Sequence, residues 1–219
     1  MDRIKLSKGI IAIGGPAKVE ASLFSMKLTN HIAQEENVLY LTYVSYKVKI
    51  QKEIERMDGS VNSKFFIEDD FEHLTVASLL RIISYIKEKA ITTIFIDDID
   101  IFRVQGCEIC CDERSQALLD SLQYLSGTYS TRILFNASLK NPEDLLDYSL
   151  PKLPCFLLEK QLTSVCTQLY IVDRLMAHGI TEDEIGLSTE NQIEILFVKN
   201  ERGENEILEL DNKKLRIYT

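Results

Sequence analysis

Gly9-Ile10-Ile11-Ala12-Ile13-Gly14-Gly15-Pro16-Ala17-Lys18-Val19-Glu20-Ala21-Ser22 is the stretch on which the fold turns. Its uniformly apolar run, stopped by Gly-Gly-Pro, reads as a buried strand ending in a turn. Ala17 to Glu36 follows, with Leu23, Met26, Leu28 and Ile32 at near-helical spacing. A buried strand leading into a helix opens a βαβ unit, because parallel strands need a crossover of that length. The order recurs downstream. Val38 to Val44, Phe65 to Ile67, Thr93 to Asp98 and Arg132 to Asn136 read as strands, and Lys47 to Met57, Leu79 to Lys89 and Glu113 to Gly127 as helices. Right-handed crossovers and a mostly parallel sheet covered on both faces follow.

After Leu150 the pattern changes. Val165 to Val172, Gln192 to Lys199 and Glu206 to Leu210 read as strands, the last two bracketing a polar turn that contains Gly203. The expectation is a parallel core extended by an antiparallel hairpin. With neither an internal repeat nor a low-complexity linker, residues 1–219 read as one domain.

Composition narrows the function. The chain carries 34 acidic and 25 basic residues, a net charge of −9, which counts against nucleic acid as the partner. No apolar run approaches the ~20 residues of a membrane span, and Met1 to Lys8 lacks a signal-peptide core, so the reading is cytoplasmic and not membrane-bound. Five cysteines, Cys107, Cys110, Cys111, Cys155 and Cys166, include one cluster, but a zinc site needs two ligand pairs at suitable spacing. They read as reduced thiols, and no metal site is expected.

In open α/β sheets ligands bind beyond the carboxyl ends of the strands. The first such place is the turn Gly14, Gly15, Pro16, Ala17, Lys18, followed by Val19, Glu20 and Ala21. A phosphate-wrapping P-loop stands in this context, and it needs a last glycine, a lysine for the terminal phosphates and a Ser or Thr for magnesium. Aligned as strand, loop and helix, Val19 takes the glycine place, Glu20 the lysine place and Ala21 the hydroxyl place. Each change opposes the chemistry. Lys18 is basic but two positions early. The second place is Ile96-Asp97-Asp98-Ile99-Asp100, where Asp97 fits a carboxylate that holds a magnesium water shell.

Six segments in order resemble the motor domain of DnaB-type replicative helicases. Ile11 to Phe24 is similar to its apolar strand, Arg-Pro-Ser-x-Gly-Lys-Thr and apolar helix, with Pro16 at the family's proline. Val38 to Val44 resembles its next strand, and Phe66 to Asp70 followed by Leu74-Thr75-Val76 its Ile-Asp-Asp and Leu-Thr-Val segment. Phe95 to Ile101, Leu169 to Arg174 and Gln192 to Gly203 are similar to its later strands. The likeness runs from about Gly9 to Ile217. It implies a RecA-like, P-loop NTPase-type α/β fold, ATP between subunits of a hexameric ring, and DNA in the central channel.

The departures fall on the family's functional residues. Besides Glu20 and Ala21, Val44 stands at the glutamate that activates water, and Asp100 at the glutamine after the magnesium carboxylate. Lys199 keeps the late lysine, but Glu201 takes the arginine place and Arg202 sits one residue along, a slip that turns a strand side chain to the other face. The loop Asn141 to Tyr148 is acidic where the family is basic. The family's amino-terminal domain and linker are expected to be absent. The resemblance therefore implies a degenerate member: no cofactor is expected, ATP and magnesium entering only through an altered pocket. A protein partner or self-association is the leading expectation. An ATPase using Lys18 and Asp97, and a DNA-binding accessory factor, stand as alternatives.

Overall fold

Strand β1 (Ile10–Gly15) lies inside a nine-stranded sheet and explains most of its architecture. Its side chains alternate, Ile10 and Ala12 entering one hydrophobic core and Ile11 and Ile13 the other. A strand buried on both faces must be uniformly apolar, as this one is. The computed structural model describes residues 6–15, 18–42, 45–71, 73–97, 99, 103–104, 111–138, 165–173, 179–182, 188, 192–199, 207–211 and 216–218.

In chain order β1 is followed by α1 (Lys18–Ile32), β2 (Val38–Thr42), α2 (Lys47–Asp58), β3 (Phe65–Glu68), β4 (His73–Leu74), α3 (Val76–Lys89) and β5 (Thr93–Asp97). Then come β6 (Arg103–Val104), α4 (Cys111–Tyr129), β7 (Arg132–Ser138), β8 (Gln168–Asp173), β9 (Gln192–Lys199), β10 (Ile207–Asp211) and β11 (Arg216–Tyr218). The sheet order is β11-β10-β9-β8-β1-β7-β5-β2-β3, with β4 and β6 forming a separate parallel pair. From β8 through β3 every pairing is parallel; β8 to β9, β9 to β10 and β10 to β11 are antiparallel. The mixed sheet expected from the sequence is the one observed, extended by β11.

Helices cover both faces. Phe24 and Leu28 of α1 and Ile50 and Ile54 of α2 fill the core on one side, and Ile82, Ile86, Leu118, Leu119, Leu122 and Leu125 of α3 and α4 fill the other. Local chemistry sets the helix ends. Thr75 and Ser78 form a capping box, the Thr75 hydroxyl accepting from the Ser78 N–H at 3.0 Å and the Ser78 hydroxyl from the Thr75 N–H at 2.7 Å. This starts α3 at Val76, ahead of the apolar stripe that begins at Leu79. Helix α2 has no side-chain cap from its N-cap residue Tyr46; Asp69 Oδ2 instead accepts from the Lys47 N–H at 2.8 Å. It ends on Gly59 at φ 82°, the left-handed conformation that favours glycine.

At the amino ends of the strands Glu36 ties β5 to β7. It accepts from Thr93 Oγ1 at 2.8 Å and from Arg132 Nη1 at 3.1 Å. Burial works to raise the Glu36 carboxyl, but the Thr93 bond and the Arg132 charge outweigh it and hold it below the ordinary carboxylate value.

Candidate functional site

The carboxyl ends of β5 and β7 meet the second turn of α1. Asp97 is the last residue of β5 and only 5% exposed. Asn136 lies beside it, one step beyond the register pair Ile96 and Phe135. Both side chains meet residues of α1. Asp97 Oδ1 accepts from Ser22 Oγ at 3.2 Å and from Asn136 Nδ2 at 3.1 Å. Asn136 Oδ1 accepts from Ser25 Oγ at 2.6 Å. Helical phase explains the pair of serines, because residues three apart lie on one face. The Thr29 hydroxyl continues the row by donating to the Ser25 carbonyl at 2.6 Å. A buried carboxylate is costly unless hydrogen bonds meet it, and these bonds meet Asp97 from two elements.

The contact with Ser22 corrects the sequence alignment. Counting from Pro16 assigns the hydroxyl place to Ala21, which is buried at 2% exposure. The hydroxyl that stands at Asp97 is that of Ser22, one residue on. Phase along the helix decides which side chain reaches the strand end, and a count carried through a loop does not see it.

Tyr40 of β2 is part of the same region. The sequence predicts a tyrosine that packs while reaching solvent; instead it is wholly buried, because β2 lies between β5 and β3 under cover on both faces. Its ring packs on Phe95 at 4.8 Å and Phe65 at 5.5 Å between centroids. Its hydroxyl has no hydrogen-bond partner within reach. Burial first, and the negative charge of Asp97 second, push the phenol well above its ordinary pKa.

The remaining sequence candidates distribute as follows. Gly14 and Gly15 end β1 and pair in register with Ala137 and Ser138 of β7. Lys18 and Glu20 lie in the first turn of α1. Lys199 ends β9 opposite Leu169 of β8, so three strands, β8, β1 and β7, separate it from the Asp97 strand. At about 4.8 Å per strand that is roughly 19 Å, and Lys199 is not brought to Asp97. Pro16, Val44, Asp100, Arg202, the loop Asn141 to Tyr148 and His178 lie outside the described residues, as does Cys107–Cys111 apart from the backbone of Cys111. Sequence reasoning missed Ser22, Ser25 and Asn136; the alternating apolar pattern of β7, broken by Asn136 at its end, was the available signal.

The donor set tests the magnesium nucleotide that a P-loop fold implies. Ser22 and Asp97, a hydroxyl and a carboxylate at a strand end, fit the metal side of such a group. The phosphate side does not fit, since Glu20 brings a carboxylate to the helix turn whose N–H groups would face phosphate. The site as a whole therefore does not match magnesium triphosphate. A second recess, about 210 Å³, lies at the other end of α1. Its buried groups serve one another: Asn30 Nδ2 donates to Asp58 Oδ2 at 3.0 Å, and Lys27 Nζ lies 3.5 Å from Asp58 Oδ1.

No sequence family matches the chain, and no curated protein sequence does. Solved structures do. The chain is similar to the isolated ATPase domain of a DnaB-like helicase, with a TM-score of 0.80 at 12% identity, over 97% of this chain and 84% of that one. It is also similar to a DnaB-like replicative helicase described with its interactions with primase, with a TM-score of 0.72 at 14% identity. That match covers 93% of this chain and 55% of the helicase, so the chain spans little more than half of that protein. The chain has the RecA-like fold of these DnaB-type ATPase domains, as the sequence resemblance implied. Among the described residues no helix is long and apolar enough to cross a membrane.

Proposed function

We propose that this chain is a DnaB-helicase-like RecA-fold module that does not hydrolyse ATP. It acts by associating with protein, either a helicase-type subunit or a copy of itself, in DNA replication or mobile-element biology, and it works in the cytoplasm. The observation that carries this reading is the start of α1 at Lys18, which puts Glu20 in its first turn. Phosphate binding needs positive charge and open N–H groups there. Two like charges 4 Å apart cost on the order of 4 kcal/mol at an effective dielectric of 20, more than a loop of backbone donors returns. The hydrogen bonds on Asp97 also support it: that carboxylate is held by the protein's own side chains.

Calorimetric titration with ATP and magnesium tests the reading, beside a phosphate-release assay at high protein concentration. The expected result is no saturable heat and background release. Pulldown with a helicase motor domain and sedimentation of the chain alone then test association; a chain that binds neither sinks the proposal. Ser22 favours a second reading, since its hydroxyl at 3.2 Å from Asp97 supplies the metal-side group that alignment assigns to Ala21. In that reading the chain binds nucleotide through an altered loop that includes Lys18. Saturable ATP binding that disappears in Asp97→Asn would put it first.

A further inference from the structure

Helix α2 breaks the rules of a helix that merely faces water. Ile50 and Ile54 turn into the core. At 100° per residue Val48, Lys49 and Lys52 fall on the outward side. Val48 is 59% exposed, and Tyr46, at the head of the helix, 81% exposed. Lys47, Lys49 and Lys52 are exposed, and among the described residues none of their amines has an ion pair or hydrogen bond. No acidic residue occurs in the first turn, although carboxylates are favoured there and lysines oppose the helix dipole. Further along, Arg56 is different: it is paired with Glu53.

A solvated charge run would account for the lysines alone. It does not account for an exposed tyrosine and valine set among them, or for cations at the wrong end of a helix. A local departure from stability rules without a structural gain marks a functional surface. The positive end of the helix is already met by Asp69, so the attraction on offer is that of the lysines and the apolar pair.

We propose that the outward face of α2, Tyr46, Val48, Lys49 and Lys52, docks an acidic segment of another protein that carries apolar side chains. This deepens the reading of the chain as an association module and rests on it. Charge complementarity chooses the partner. In a chain of net charge −9 this face is a basic exception, and it fits carboxylates at short range. A nucleic acid would bring its phosphate charge against the acidic remainder, and two copies of the chain would repel each other at long range. Apolar side chains of the partner would rest on Tyr46 and Val48, aromatic contacts being the usual anchors of such interfaces.

The test is fluorescence anisotropy with the whole chain and a short labelled peptide built from Glu, Asp and Leu. Two variants are compared with the unaltered protein: Lys49→Glu with Lys52→Glu, and Tyr46→Ala with Val48→Ala. Far-ultraviolet circular dichroism and urea midpoints should not move, because all four side chains point outward. The peptide is expected to bind the unaltered chain, at least about tenfold more weakly to each variant, and more weakly again at high salt for the unaltered chain. A peptide with Ser in place of Leu should lose a similar factor. Equal affinity for the variants, or no binding at all, overturns the proposal. So does a single-stranded oligothymidine that binds the unaltered chain and not the lysine variant, which would make this a nucleic-acid face. Self-association that vanishes in the lysine variant would assign the face to a second copy and overturn it too. Association that persists in both variants removes this surface but leaves the broader reading standing, whereas ATP hydrolysis removes the broader reading and is independent of α2.

Discussion

Tyr40 carries an oxygen that its surroundings do not use. The ring packs between Phe65 and Phe95, while the hydroxyl is buried without a partner. An unmet buried hydroxyl costs about 1–3 kcal/mol, and removing it leaves the packing intact. Tyr40→Phe is therefore expected to stabilise the protein by about 1 kcal/mol, read as a higher urea midpoint at neutral pH. A lower midpoint would mean that the hydroxyl serves Asp97. The pH dependence has a definite sign. The folded-state pKa is raised well above the unfolded one, so this contribution is complete below about pH 10 and is lost as pH rises beyond it, at about 1.4 kcal/mol per pH unit. The Phe variant should lack that slope. Asn136 is the converse case, since both ends of its amide are in use. Asn136→Ala leaves the buried Ser25 hydroxyl without its acceptor and takes a donor from Asp97, and about 2 kcal/mol of stability should go with it in the same titration.

At the scale of elements, the entry to β1 depends on Gly9, which adopts φ 108° just before the strand. A Cβ there would meet Thr167 Cγ2 at 2.7 Å, and Thr167 cannot withdraw because its N–H donates to the Ile10 carbonyl at 2.8 Å. Gly9→Ala should cost about 3 kcal/mol, combining the left-handed backbone with the clash. Thr167→Ser removes the methyl group and should recover part of that loss when combined with it, a coupling that a double-mutant cycle in urea would measure; strict additivity would show that the contact is not the cause. The elements themselves were legible wherever a period had room to declare itself. The apolar runs of β1, β2, β5 and β7 and the stripe Ile82, Ile86 needed no tertiary information. The pair β4 and β6 and the strand β11 were not read, because two or three residues carry no period. The site was half legible. Asp97 is marked by its place at a strand end, but Ser22 is selected by helix phase, and Asn136 finds Asp97 at 39 residues' separation and Ser25 at 111. Those partnerships exist only after the sheet has formed.

Over the whole molecule, the two cores share one sheet. Each central strand gives alternate side chains to both, as Leu39 and Leu41 against Val38 and Tyr40 show in β2. Helix α2 reaches only one core and α4 only the other, so neither pair of helices touches across the sheet, yet neither core can lose its wall without exposing the strands that build its neighbour. That coupling predicts a single cooperative unit spanning both faces. Ile54 of α2 is wholly buried in one core, and Leu122 of α4 is buried in the other. Each change to alanine should cost about 3 kcal/mol, the usual price of a large-to-small core substitution. Each should shift one urea transition as a whole, with circular dichroism and tyrosine fluorescence coincident, the chain having no tryptophan. Because the two sites lie on opposite faces, their costs should add to within about 0.5 kcal/mol in the double variant. If Ile54→Ala instead splits the transition and leaves the α4 side unfolding at its original midpoint, the faces are separate cooperative units, and the sheet joins them in space without joining them in energy.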